Sequence, residues 1–319
     1  MPTTTHALSL DAASAPFRRI ELTRRDLRDE DVLIDIAYAG ICHSDIHTGR
    51  DEWGAAHYPL TPGHEIAGTV AAVGSAVTGL AVGDRVGVGC LVDSCGVCEQ
   101  CVAGQEQFCQ RGSVGTYNSK GYDGQWTAGG YAQQIVVSQR FVLRIPEGVA
   151  LDVAAPLLCA GITTYSPLRA WGAGPGKRVG VVGIGGLGHM AVKLAAAMGA
   201  EVTAFSRSSA KSADALELGA AHHVATSDAA AMRAARGSLD LIVNTVSANV
   251  PVEDYLRLLR PFGVLANVGL PSEPYSVRPG SLIGGNKVLT GSAIGGIPQT
   301  QEMLGFCAEH GLGATIETV

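Results

Sequence analysis

The stretch RVGVVGIGGLGHMAVKLAAAMGA, residues 178–200, decides how the chain folds. Residues 178–182 form an apolar run, residues 189–198 are alanine-rich and amphipathic, and Gly183-Ile184-Gly185-Gly186-Leu187-Gly188 lies between them with G-x-G-x-x-G spacing. A lone match of this kind says little, but a strand before it and a helix after it is the context in which a dinucleotide pyrophosphate is held. The glycines let the pyrophosphate approach the helix N-terminus, where unpaired N–H groups and the helix dipole attract it. About twenty residues further on, a second apolar run at 201–205 ends in Ser206-Arg207-Ser208. An NAD-binding chain carries Asp or Glu at that point to bind the adenosine ribose. Here hydroxyls and a cation stand instead, with Lys211 close behind, a set suited to a 2′-phosphate and so to NADP(H). The plainer reading of Arg207 is a solvated loop charge.

On either side of this stretch the texture of the chain changes. From about Leu151, alanine-rich helical segments alternate with short apolar runs at 179–182, 201–205, 239–243 and 264–268, the βαβ rhythm of a parallel sheet. The preceding half is rich in strand patterns, at 31–37, 65–73 and 131–137, and is punctuated by glycine, as in an antiparallel or mixed domain. After Gly285 the chain turns irregular and glycine-rich again, which predicts a return to the first domain. The expected class is therefore α/β, with a β-rich domain over 1–153 and 286–319 and a doubly wound parallel-sheet domain over 154–285. No internal repeat and no low-complexity linker interrupts this plan.

With 319 residues, 46% hydrophobic and 16% charged, the chain is long enough for two cores. A net charge of −6 and scattered Lys and Arg offer no basic face for a phosphate backbone, so nucleic acid is not an expected partner. The N-terminal residues carry neither a cationic start nor an apolar core of a leader, and no apolar run reaches the roughly 18 residues a membrane span needs. A cytoplasmic location is expected. In that reducing compartment the eight cysteines are metal ligands or buried thiols before they are disulfides.

Four of them, Cys95, Cys98, Cys101 and Cys109, form a C-x2-C-x2-C-x7-C array. Two-residue spacers let a chain turn around one ion, and four thiolates can wrap tetrahedral zinc at about 2.3 Å per bond with no position left open. Such a site would be structural. Four buried thiols, two disulfides or an iron–sulfur cluster are the alternatives, although the array lacks a proline after Cys109 and a second set of cluster ligands. A second site has to be assembled from distant residues: Cys42, the His64-Glu65 pair and Cys159. Each has a plain explanation by itself, Cys159 as a core cysteine and His64 as a hydrogen-bonded core histidine. Together, Cys, His and Cys would give a catalytic zinc its three ligands and leave one position open. Ser44 and His47 are three residues apart and would share a face of a short helix, offering a path for a proton between a dry site and solvent. A capping Ser44 and an exposed His47 are the alternative. Asp45 suits the role of orienting a ligating histidine, here His64.

Read together, these residues resemble the medium-chain zinc alcohol dehydrogenases, and among them the cinnamyl alcohol dehydrogenase branch with its bacterial aldehyde reductases. The likeness is carried by residues 40–47, Trp53-Gly54, Tyr58-Pro59, residues 62–65, residues 83–86, the four-cysteine lobe, Gly129-Gly130-Tyr131, residues 156–165 and the glycine fingerprint. It implies a GroES-like catalytic domain beside a Rossmann domain, and a homodimer. It also implies two zinc ions: a catalytic one on Cys42, His64 and Cys159, with Glu65 as an alternative ligand, and a structural one on the four lobe cysteines. The same resemblance implies proton relay through Ser44, the nicotinamide ribose and His47, and a 2′-phosphate on Ser206, Arg207 and Lys211, with Ser208 beside them. Thr163 would meet the nicotinamide, and Val246 and Val268 would line its pocket. Trp53, Leu91, Trp126 and Ile294 are expected at the substrate wall. Relatives of this kind continue past the equivalent of Val319 with a helix and a final strand.

The activity so implied is hydride transfer between NADP(H) and a primary alcohol or aldehyde, aromatic or medium aliphatic, with zinc as Lewis acid. A polyol dehydrogenase would share the glycines, and a non-catalytic zinc- or nucleotide-binding protein would share the fold. Competing substrates separate the first, and zinc content measured beside turnover separates the second.

Overall fold

Strand pairing in the first half follows from alternation. In the computed structural model, which describes residues 3–319, β1 (Thr3–Ser9) and β2 (Arg18–Arg24) pair antiparallel. Next come β3 (Asp31–Ala39), β4 (Ile66–Val73) and β5 (Arg85–Val88), then a small ribbon of β6 (Leu91–Asp93) and β7 (Val114–Gly115), and finally β8 (Gln134–Ser138) and β9 (Leu143–Arg144). The main sheet runs β8-β3-β4-β5-β9, antiparallel throughout. Val32 and Ile34 of β3, Ile66 and Val70 of β4, and Val86 and Val88 of β5 are buried, each worth roughly 1.5–3 kcal/mol as a buried aliphatic side chain. The β6–β7 ribbon brackets the loop that carries the lobe cysteines.

The last segment of this unit is more regular than its glycine content predicts. A helix spans Ile297–Glu309, with proline in its first turn, where a missing N–H costs nothing, and Thr300, Met303, Leu304 and Cys307 buried at helical spacing. Gln301 ties it to β9, accepting from the Arg144 N–H at 2.8 Å and donating to the Arg144 carbonyl at 3.0 Å.

The second unit is a parallel sheet of β10 (Arg178–Val182), β11 (Glu201–Ser206), β12 (His222–Ala225), β13 (Leu239–Asn244), β14 (Leu259–Asn267) and β15 (Val288–Gly291). Its order is β12-β11-β10-β13-β14-β15, the 3-2-1-4-5-6 arrangement of a dinucleotide-binding sheet, with its switch point between β10 and β13. Every residue of β13 is buried, as a strand covered on both faces must be. Phe205, Ile242, Leu256 and Leu265 build the core around it.

The boundaries differ from those read in the sequence. Val288 to Gly291 pair with Val264 to Asn267 of β14, so the return expected at residue 286 comes after a sixth strand, and the second unit runs on to Ile294. At the other end the division falls between Cys159 and Ala160, because the helix Ala160–Ala170 packs with the parallel sheet's first helix. Among the described residues, no helix is long and apolar enough to cross a membrane.

Candidate active site

The end of β3, the helix His43–Gly49 and the start of β4 build one centre around a carboxylate. Cys42 is the N-cap of the short helix. Asp45, three residues on and buried, accepts hydrogen bonds from the Cys42 N–H (3.0 Å), the Gly63 N–H (3.1 Å) and the Tyr131 hydroxyl (3.2 Å), and its Oδ1 lies 3.2 Å from His64 Nδ1. Burial pushes the Asp45 carboxyl up, but the His64 imidazole and the two backbone N–H groups outweigh it and hold the group below its ordinary value. With Nδ1 engaged, His64 presents Nε2 to Cys159 Sγ at 3.2 Å. Glu65 fills the space beside Gly40, where any Cβ would collide with its carboxylate.

Ligand atoms of Cys42, His64, Glu65 and Cys159 all lie within 4.8 Å of one another. The set fits zinc. Two ligands of one tetrahedral ion, nitrogen at about 2.0 Å and sulfur at about 2.3 Å, stand about 3.5 Å apart, close to the His64–Cys159 distance. The chemistry of the donors agrees. Hydrogen bonding to Cys159 and burial push the Cys42 thiol up to about 12, and burial pushes Glu65 up to about 8, so their anionic forms call for a cation. The orienting carboxylate gives the first prediction. Asp45→Asn keeps the shape but weakens the hold on His64, and zinc affinity, measured by competition with a chelator, should fall roughly 10- to 100-fold.

The lobe brings its four cysteines together as their spacing predicts. Cys98 and Cys101 Sγ are 3.5 Å apart and Cys95 and Cys101 Sγ 3.9 Å, on either side of the roughly 3.8 Å that tetrahedral zinc imposes between two thiolates. All eight cysteines are free thiols, which sets the disulfide alternative aside. Backbone N–H groups of Cys95, Cys98 and Gln110 point at Cys109, Cys95 and Cys98 Sγ, each at 3.4 Å, and would stabilise thiolate charge.

Ser44 Oγ lies 3.6 Å from Cys42 Sγ. His47 stacks on Trp53 with ring centroids 4.9 Å apart, its Nδ1 meets the Glu52 carboxylate, and its Nε2 is a buried atom with no protein partner. The other residues expected at a substrate wall lie on separate elements. Leu91 is buried in β6, Trp126 stacks on His57 at 4.0 Å, and Ile294 belongs to the other unit.

In the second unit the glycine run leaves β10 and enters the helix Gly186–Ala197 with Gly185 as its N-cap. Gly188 has no room for a Cβ, which would strike the Gly183 carbonyl, so helix and strand pack closely. Leu187 stands in the first turn of that helix, and Thr163 is buried in Ala160–Ala170. Val246 and Val268 follow β13 and β14, and the Val268 N–H is held by the Asn244 carbonyl at 2.9 Å. Ser206 ends β11, Arg207 and Ser208 are exposed beyond it, and Lys211 Nζ lies 3.2 Å from Asp214.

The chain is 58% identical to a probable formaldehyde dehydrogenase, AdhA, of Bacillus subtilis, covering 99% of this chain and 90% of that protein. The chain belongs to the zinc-binding alcohol dehydrogenases. An NADP-dependent alcohol dehydrogenase C of Mycolicibacterium smegmatis is 56% identical over 99% of this chain and 91% of its own length. Two family models match, an alcohol dehydrogenase GroES-like domain over residues 28–147 and a zinc-binding dehydrogenase domain over 186–309. A cinnamyl alcohol dehydrogenase structure from Sorghum bicolor superposes with a TM-score of 0.97 at 45% identity, covering 99% of this chain and 91% of that one. The family's GroES-like and Rossmann domains are thus the antiparallel and parallel units described above.

Two members of the catalytic neighbourhood carry no sequence signal. Cys90, on the loop after β5, points its Sγ at the Leu158 carbonyl 3.9 Å away, and the neighbouring Cys159 lowers the Cys90 thiol against the opposing effect of burial. Nothing in its spacing links it to residue 159. Glu52 reaches His47 only because the chain reverses after the helix, with Asp51 at φ +56° and the Glu52 N–H bonded to the His47 carbonyl at 2.9 Å.

Proposed function

We propose that this chain reduces aldehydes to primary alcohols with NADPH, and catalyses the reverse reaction, at a zinc ion held by Cys42, His64 and Cys159. The observation that carries this reading is the convergence of those three donors and Glu65 within one unit. Bound zinc supplies a Lewis acid for the carbonyl oxygen, and bound NADPH supplies the hydride. The protein's own part is to hold and move the proton. Ser44, beside Cys42, and His47, whose buried Nε2 has no protein partner, carry it between the product oxygen and solvent with the nicotinamide ribose hydroxyl between them. Glu52 balances the imidazolium from the solvent side and fixes the ring through Nδ1. The hydrogen bond from His47 holds the Glu52 carboxyl below its ordinary value, as a charge-balancing partner requires.

In the same reading Glu65 serves as an alternative zinc ligand. Thr163, Val246 and Val268 flank the nicotinamide, and Trp53, Leu91, Trp126 and Ile294 shape a site for an aromatic or medium aliphatic aldehyde. The glycines 183, 185, 186 and 188 and Leu187 hold the pyrophosphate, and Ser206, Arg207, Ser208 and Lys211 select the 2′-phosphate. Eight free thiols suit a reducing compartment, the cytoplasm. Association as a homodimer would use the edge strand β15, with Val288 exposed on it.

The test is the initial rate of NADPH oxidation by zinc-loaded protein with cinnamaldehyde, run beside NADH. Turnover at least tenfold faster with NADPH supports the reading; equal use of the two cofactors overturns the assignment of Ser206 to Lys211. Zinc bound at both sites with no turnover on any aldehyde or alcohol would overturn the activity.

A further inference from the structure

The edge of the parallel sheet holds a contact beyond the residues assigned to the cofactor. In the β11–β12 register Ala204 lies opposite His223 and Ser206 opposite Ala225, so Ala204, Ser206 and His223 project from the same face. The His223 side chain reaches two positions along β11 and places Nε2 2.8 Å from Ser206 Oγ. The same Oγ lies 2.8 Å from the Ser208 carbonyl.

Counting protons assigns the roles. A hydroxyl has one hydrogen to give, and a carbonyl can only accept, so the Ser206 hydrogen goes to Ser208. His223 Nε2 must then be the donor, with its N–H directed into a lone pair of Ser206 Oγ. Ser206 is held from both sides, and the turn 206–208 is held with it. A 2′-phosphate is an acceptor only and competes with the Ser208 carbonyl for the Ser206 hydrogen. As that hydrogen turns to the phosphate, the His223 N–H still fills the lone pair behind it and polarises the O–H, which strengthens a charge-assisted bond. A free ribose hydroxyl is an uncharged acceptor and can instead donate to Oγ, so it gains less from this arrangement.

We infer that His223 is a positioning residue for the cofactor's 2′-phosphate, acting through the Ser206 hydroxyl to favour NADP(H) over NAD(H). It touches no reacting atom. The inference rests on the NADP(H) reading above, and it concerns an imidazole that no glycine motif or terminal charge points to.

Binding of adenosine 2′,5′-bisphosphate and of 5′-AMP to the full chain, measured by isothermal titration calorimetry, separates the possibilities. His223→Leu removes the donor, whereas His223→Gln keeps an N–H at a similar reach. The bisphosphate should bind the wild-type chain more tightly than AMP does. Its affinity should fall roughly three- to tenfold in His223→Leu, the scale of one hydrogen bond to a charged network, and return in His223→Gln, with AMP affinity unchanged throughout. A wild-type chain that binds both nucleotides alike overturns the NADP(H) reading and this inference with it. A bisphosphate preference that persists undiminished in His223→Leu overturns the inference alone. Equal losses for both nucleotides, or a failure of glutamine to restore the loss, likewise overturn it, because either would assign His223 to strand packing and not to the phosphate.

Discussion

Cys42→Ser should lower kcat/KM for aldehyde reduction by at least about a thousandfold. A Lewis acid at the carbonyl oxygen contributes several kcal/mol to the transition state, and each 1.36 kcal/mol is a factor of ten. Serine keeps the side chain's size but replaces the thiolate with a hydroxyl that stays protonated, so the site loses a charged ligand. His64→Ala should have the same consequence by a different route, since it also leaves Asp45 without its buried imidazole partner. Metal analysis of either purified variant should show one zinc per chain, because the lobe cysteines are separate from this cluster. Retention of two zinc ions and of wild-type turnover would mean that the donors around His64 are not the catalytic ligands.

Ser206→Asp should reverse the cofactor preference. The carboxylate would stand at the end of β11, where it can accept from a ribose hydroxyl but faces a 2′-phosphate with like charge. Two unit charges about 4 Å apart at an effective dielectric near 20 repel by about 4 kcal/mol, more than two decades in affinity. Steady-state rates should therefore show kcat/KM for NADPH falling by about a hundredfold or more while that for NADH rises. A variant that kept its NADPH preference would place the discrimination on Arg207 and Lys211 alone.

How much of this was readable beforehand depends on sequence distance. The lobe was legible because its ligands lie within one loop, and the glycine run because strand, turn and helix are consecutive. The convergence of Cys42, His64 and Cys159 was not legible from spacing, because only the pairing of β3 with β4 and the return of the chain near residue 159 bring them together. Resemblance supplied what spacing could not. His223 carries no motif at all, since its role comes from register across two parallel strands. The helix Ile297–Glu309 was hidden by the glycines around it, although Pro298 and the spacing of Thr300, Met303, Leu304 and Cys307 were there to be read. Strand β15, four residues at a sheet edge with only two partly buried side chains, leaves little alternation to detect.

The two candidate zinc centres also differ in when they can come into being. The four lobe ligands lie within 14 residues of one another, whereas Cys159 reaches back 95 residues to His64. On a ribosome, the lobe has all its thiols once Cys109 has emerged. The other centre must wait for Cys159, 50 residues later, an interval of several seconds at roughly 5–20 residues per second. The nascent chain can thus capture its first ion locally, at a small loop-closure cost, and keep the lobe thiols occupied while His64 still has no sulfur from Cys159 beside it. The order of synthesis thus lets the lobe take up its ion before the second centre is complete.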